Sequence, residues 1–325
     1  MKLVSLSALV FSCLLAFCAS ASAKSLEDFN HLPPVYGSSD QLSPEPHLLA
    51  EFKDKKFVCR TEKDATPKES PAAAAAFRQL VDYAAEGDPV DNFWLDAGHR
   101  KKREDLLAAA VKAGSWKAVY LDTLWTLRYP ATPEAVTQAS ATLQKMIQQG
   151  IPIAMSDYAA SLYGRDYNTM YTLLSAAVDH GSPQAMDLAG GTIVPQAREL
   201  HPIGKAMLEC AVKQGYAPAY ANLGKLAWMQ GHRLDAYRLW AKGVNLGCAA
   251  CSSPLESLAR VRSGYNTATP MLDLMPELAA INAFYSNNFF YELSDLSDFE
   301  RPLPEKLAFH LNDKELLKLL KLEQR

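Results

Sequence analysis

Residues 211–255 read AVKQGYAPAYANLGKLAWMQGHRLDAYRLWAKGVNLGCAACSSPL, and their spacing decides the fold. Between Ala217 and Gln230, the apolar positions Ala219, Leu223, Leu226 and Ala227 share one helical face. Pro218 suits the first turn, where its missing N–H would have had no partner. Gln230-Gly231-His232 breaks this helix. Leu234, Tyr237, Ala241 and Val244 then mark a second one, with Arg233, Asp235, Arg238 and Lys242 directed elsewhere. Gly247 closes it, as a residue that readily takes the left-handed conformation, and Cys248-Ala249-Ala250-Cys251 opens the next turn of the same pattern. Neither helix buries its apolar face alone, so neighbouring pairs must stack.

The closing glycine recurs. Gly114, Gly150, Gly181, Gly215 and Gly247 end the segments AVKAG, MIQQG, AVDHG, AVKQG and GVNLG, at intervals of 36, 31, 34 and 32 residues. Four residues after each glycine stands a small side chain: Ala118, Ala154, Ala185, Ala219 and Cys251. Four before it stand Ala110, Met146, Ala177, Ala211 and Gly243, small in every copy but the second. A period of about 34 residues with small side chains around a fixed turn predicts stacked helix pairs, in which backbones approach too closely for bulk.

These residues resemble the Sel-1-like repeat of the tetratricopeptide superfamily, whose pattern is a helix ending in Ala-Ala, a glycine, then a small residue and Leu-Gly. Ala211–Gly224 matches best, with Gly215, Ala219, Leu223 and Gly224 in place. Elsewhere the pattern is degenerate, and Asp122 and Tyr158 stand where Leu223 does. The resemblance spans Pro71 to Leu258. It implies an all-α protein, a right-handed solenoid of about five helix pairs over residues 71–262, with an irregular arm at 24–70 and a helical cap at 263–325. It implies little about chemistry.

Met1–Ala23 reads as a secretory signal: Lys2 supplies the positive start, Leu3 to Phe17 the apolar core, and Ala21-Ser22-Ala23 a small-residue cleavage site. The apolar core is too short to span a membrane. Cleavage after Ala23 places the mature chain in the periplasm. Leu15-Ala16-Phe17-Cys18 resembles a lipobox, the alternative being a lipid anchor on Cys18, although Phe17 stands where that motif has a small residue. No stretch after Ala23 reads as a transmembrane helix. The net charge of −3 and sequence pI of about 6.2 argue against a nucleic-acid partner and offer no membrane-binding basic patch.

Beyond Cys13 and Cys18, four cysteines remain: Cys59, Cys210, Cys248 and Cys251. An even number in an oxidising compartment permits two disulfides in three connectivities. Cys248 and Cys251 have the spacing of a redox dithiol at a helix start, but the strand that precedes such a motif in thioredoxin-like folds is missing. Some Sel-1-like proteins bridge adjacent repeats, which here would join Cys210 to Cys248 or Cys251.

Residues 24–71 are rich in Pro, Ser and Asp. Phe57-Val58-Cys59-Arg60 is expected to be a short strand or extended arm leading into an Ala-rich helix, 72–86, with Phe77, Leu80, Val81 and Ala84 on one side. This front region resembles an uncharacterised domain of some bacterial Sel-1-like proteins. Asp96, His99 and Arg100 lie in a polar connection expected before a helix at Glu104–Ala113, without a nucleophile to complete an acid–base site. The other histidines lack metal-ligand spacing, and no phosphate loop or nucleophile elbow is present. No catalytic residue, metal or cofactor is therefore expected.

What remains is a surface. In tetratricopeptide-like stacks the first helix of each pair lines a concave groove. Those helices carry Trp116, Tyr120, Asp122, Trp125, Asp157, Tyr158, Asp187, Tyr220, Lys225 and Trp228, and aromatic residues beside charges are typical interface anchors. Several of these rings would equally serve as packing between repeats. Exported Sel-1-like proteins of this build resemble immunity proteins encoded beside type VI secretion phospholipase effectors, which implies a protein partner, a phospholipase toxin. The competing expectations are a periplasmic adaptor and a CxxC thiol oxidoreductase.

Overall fold

The computed structural model describes residues 50–86, 97–163 and 166–255. Within them the glycine markers form a repeated helix end. Gly114, Gly150, Gly181, Gly215 and Gly247 all adopt positive φ, from 76° to 107°. In each copy the residue after the glycine donates its N–H to the carbonyl four residues before it. The pairs are Ser115 to Ala110, Ile151 to Met146, Ser182 to Ala177, Tyr216 to Ala211 and Cys248 to Gly243, all at 2.9–3.1 Å. This is a Schellman closure, which satisfies carbonyls the helix leaves free and requires a residue without a Cβ penalty at the turn. The next helix starts at once, and its fourth residue from the glycine packs into the corner: Ala118, Ala154, Ala185, Ala219 and Cys251 have no exposed surface.

The described residues are all-helical, with no strand among them. The helices are α1 (Pro71–Glu86), α2 (Ala97–Lys112), α3 (Trp116–Arg128), α4 (Pro133–Gln148), α5 (Pro152–Ser161), α6 (Tyr167–Asp179), α7 (Pro183–Gln196), α8 (His201–Lys213), α9 (Ala219–Met229) and α10 (Arg233–Asn245). Side chains cap several starts: Ser115, Thr132, Asp166 and Ser182 accept N–H groups of the first turns of α3, α4, α6 and α7. Each helix packs against its sequence neighbours, and the first helices of adjoining pairs also touch, α5 on α7 and α7 on α9.

Small residues set these approaches. A Cβ on Gly190 would lie 2.7 Å from Leu208 Cγ, and one on Gly204 2.9 Å from Ile193 Cγ2, so α7 and α8 meet through their glycines. Gly224 leaves room for the indole of Trp240, whose Nε1 donates to the Ala221 carbonyl at 3.1 Å. Helix α2 begins at Ala97, earlier than expected. Its Lys, Arg and Glu residues are good helix formers, but it buries only Leu107 and Ala110, so its start shows no apolar period. The helix includes His99, whose Nδ1 lies 2.6 Å from the Tyr83 hydroxyl.

Two apolar cores span α1 to α9, and Leu234, Tyr237 and Val244 of α10 are buried outside both. One collects Phe77, Leu80, Leu107, Leu121 and Ile153 from α1 to α5. The other holds Met170, Tyr171, Leu174, Met186, Ile193 and Leu208, from α6 to α8, and Phe52 of the arm. The arm is thus part of the fold. Phe57–Arg60, expected as a strand or extended arm, has no regular structure. Lys55 Nζ donates to Ser175 Oγ at 2.9 Å and pairs with Asp179 Oδ2 at 2.7 Å. The Glu62 N–H donates to Gln214 Oε1 at 3.0 Å, and Gly181 lies so close that a Cβ would fall 2.6 Å from the Thr61 carbonyl carbon.

The disulfides differ from the bridge expected between adjacent repeats. Cys210 bonds to Cys59, tying the arm to α8, and Cys248 bonds to Cys251 within one turn. Cys210 lies on the face of α8 that receives the arm, its Sγ 3.8 Å from the Arg60 carbonyl oxygen. Cys248 and Cys251 are fully buried, leaving neither sulfur open to an attacking thiolate, as thiol–disulfide exchange requires. The expected signal segment 1–23, residues 24–49, Asp96 and the expected cap 263–325 lie outside the described residues. No helix among the described residues is long and apolar enough to cross a membrane.

Candidate functional site

The first helices of three successive pairs, α5, α7 and α9, border a groove of about 390 Å³. Helix α5 contributes Ser156, Asp157 and Ala160. Helix α7 contributes Gln184, Asp187, Leu188, Gly191 and Thr192. Asn222 comes from α9, and Tyr216 from the turn before it. A helix presents one stripe every three to four residues. Residues 184, 187, 188 and 191 therefore share the face of α7 that the flanking helices leave open.

Two half-buried carboxylates organise this lining, and each is held by a residue about one repeat away. The Tyr120 hydroxyl, from α3, donates to Asp157 Oδ2. Asn222 Nδ2 donates to Asp187 Oδ1 at 2.8 Å. Gly191 makes the second contact possible: a Cβ there would lie 2.4 Å from Asn222 Nδ2 and push the amide off Asp187. Beneath them, the hydroxyls of Ser156 and Ser182 lie 2.8 Å apart, and Ser182 donates to Gln184 Oε1 at 3.0 Å.

Burial pushes both acids up. Asp187 rises from its ordinary 3.8 to about 6, the Asn222 hydrogen bond opposing this. Asp157 is raised by burial as well, with the Tyr120 hydrogen bond and the charge of Arg128 pulling the other way. The folded chain holds the Asp187 proton more tightly than the unfolded chain does. Its contribution to stability is therefore lost as pH rises through about 6, and at neutral pH the ionised carboxylate costs free energy. Asp187→Asn keeps an acceptor for Asn222 and removes the charge. It is expected to stabilise the fold at about pH 7.5 by on the order of 1–2 kcal/mol, with little difference near pH 4, as read by urea unfolding at both values. Equal stability of the two proteins at about pH 7.5 would contradict this.

The structure divides the residues expected at a partner surface. Asp157 and Asp187 meet in the groove. Asp122 and Lys225 are exposed on α3 and α9, outside its lining. Tyr120 and Tyr220 are core residues, 0% and 5% exposed, and correct the expectation of surface anchors: their rings have no free face. Trp116, Trp125 and Tyr158 are half-buried against the first core, the Arg103 guanidinium lying 4.1 Å over the Trp125 ring. Trp228 is half-buried, within 6.0 Å of Tyr237 and Trp240 between ring centroids. Sequence reasoning missed Ser156, Gln184, Gly191, Thr192, Tyr216 and Asn222. The one available signal was the Gly190-Gly191 pair inside a helix, where glycine weakens the helix unless a neighbour needs the space.

The groove's chemistry is that of an acceptor surface. It presents two carboxylates, hydroxyls and amides, and among the described residues no lysine or arginine lines it. Among the described residues, no group of three or more His, Cys, Asp or Glu side chains is placed to hold a metal ion.

No protein-family model matches the chain, and no curated protein matches it. Solved structures do. The chain is similar to the Pseudomonas aeruginosa protein PA5086, with 27% identity, a TM-score of 0.50, and 77% of this chain and 96% of that chain covered. It is also similar to the immunity protein PA5088 from Pseudomonas aeruginosa, with 22% identity, a TM-score of 0.50, and 77% and 95% covered. At 22% identity the second likeness concerns the fold alone.

Proposed function

We propose that this chain is an exported immunity protein, which binds a toxic effector and blocks it stoichiometrically. In its finer form the effector is a phospholipase delivered by type VI secretion, and the encounter takes place in the periplasm. The observation that carries the reading is the fold shared with the immunity protein PA5088 over 95% of that chain. The likeness to PA5086 at 27% identity and the putting together of a preformed groove by three repeats add to it. The helix pairs are read as a right-handed solenoid of about five Sel-1-like repeats. A stack of this kind loses little conformational entropy on binding, so more of the contact energy appears as affinity.

Co-expression in a heterologous bacterium tests the proposal. A phospholipase encoded beside this gene is sent to the periplasm with and without the full chain. Rescue of growth that disappears when residues 1–23 are deleted is the expected result. Failure of the full chain to rescue sinks the phospholipase reading, and capture of several envelope proteins without a toxin would favour an adaptor instead.

A further inference from the structure

The groove holds negative charge that its described lining does not neutralise. Among the described residues, Asp187 takes one hydrogen bond, from a neutral amide to Oδ1. Asp157 is held by a phenol, and the cation that acts on it, Arg128, stands at the end of α3 outside the lining. Two half-buried carboxylates therefore face a cavity of about 390 Å³ that no lysine or arginine lines among the described residues. The arrangement is built, since Gly191 is needed for Asn222 to reach Asp187, and Tyr120 gives its hydroxyl to Asp157 from the core. Burial raises the Asp187 carboxyl and so disfavours its charge at neutral pH, whereas an asparagine would keep an acceptor for Asn222 without that cost. Counter-charge supplied from outside would offset it, because attraction is strong where water is scarce.

We infer that this groove is the receptor for one basic side chain, a lysine or arginine, projecting from the partner protein, with Asp187 and Asp157 as its counter-charges. This rests on the partner-binding role proposed above. The volume falls in the range of pockets that enclose a small group, about 300–1,000 Å³. The neutral donors around the acids fix their orientation without neutralising them. A guanidinium would take both free carboxylate edges, with Ser156 and Thr192 as further acceptors.

The test uses the whole mature chain and agmatine, a guanidinium joined by a butyl stem to an ammonium group, followed by amide NMR shifts. Saturable shifts at residues of α5, α7 and α9 are expected, with affinity at least tenfold weaker in Asp187→Asn. The charge-matched control Asp105→Asn, on the exposed side of α2, should bind as the unaltered chain does. Absence of saturable binding, or equal binding by Asp187→Asn, overturns the inference. The same variants enter the growth-rescue assay. Loss of protection in the Asp157→Asn, Asp187→Asn double variant, with its fold intact by circular dichroism, supports a basic side chain of the partner in this groove. Undiminished protection overturns that docking while leaving the immunity reading in place. If the unaltered chain gives no protection, the phospholipase reading fails, and agmatine bound without a protein partner would mark a receptor for small cations, overturning the docking role.

Discussion

Replacing Cys59 by serine and Cys210 by alanine is expected to lower the stability of the oxidised chain by about 4 kcal/mol. The two cysteines are 151 residues apart. In the chain-entropy account, closing a loop of that length restricts the unfolded ensemble by about 5 kcal/mol, and part of this is returned because real unfolded chains are already compact. The Cys248–Cys251 bridge spans a separation of 3 residues and by the same account contributes about 2 kcal/mol. The long bridge therefore dominates. Urea midpoints should place the double variant in non-reducing buffer well below the oxidised unaltered chain, and the reduced unaltered chain, which lacks both bridges, lower by about a further 2 kcal/mol. A midpoint unchanged from that of the oxidised chain would mean that the arm is already tethered in the unfolded state or that the bridge does not form. Alanine is the better replacement at 210, because that side chain is 3% exposed and a serine hydroxyl there would need a new partner.

The second large effect is expected at Phe52. Its ring has no exposed surface and packs in the core that holds Met170, Tyr171, Leu174 and Met186. Phe52→Ala should cost about 3–4 kcal/mol, the lost transfer energy plus the cavity left among side chains that relax only in part. Val58, six residues further along the same arm, is 62% exposed, and Val58→Ala should change stability by no more than about 0.5 kcal/mol. Thermal or urea unfolding of the two variants decides whether the arm is a structural element or a tether. Equal, small effects would show that the core holds without it. Because Phe52 and Cys59 anchor one segment, the losses are not expected to add when both are changed.

These two effects mark the limit of what the chain shows on inspection. Phe52 and Cys59 lie in a stretch without apolar period, and their partners are more than a hundred residues away, in α6, α7 and α8. Composition alone makes this segment a linker. No local rule pairs Cys59 with Cys210 in preference to Cys248 or Cys251, since four cysteines permit three pairings and only the path of the arm selects one.

The groove was half legible. Asp157 and Asp187 stand out as acids on helices predicted to line a concave side. Their orienting partners do not: Tyr120 is 37 residues from Asp157, and Asn222 35 from Asp187. Those separations are close to one repeat, so the contacts exist only once repeats stack at a definite offset. The same ambiguity befell the aromatics. A helical period places Tyr120 and Tyr220 on a stripe, but whether that stripe meets solvent or the next helix is a property of the neighbour.

By itself, then, the sequence determined the helix ends and their recurrence. A glycine with positive φ, the carbonyl four residues before it and the small residue four after it interact within a few residues, so their energetics are written locally. It also determined that the described residues would be helical and that neighbouring pairs would need to cover each other. Only the tertiary structure decided where the arm runs, which cysteines bond, which aromatics are core and which two acids share a groove. Apart from the Cys248–Cys251 bridge, these depend on side chains brought together from about 30 to more than 150 residues apart. Their meeting is fixed by packing of whole helices, and no window of sequence contains both sides of it.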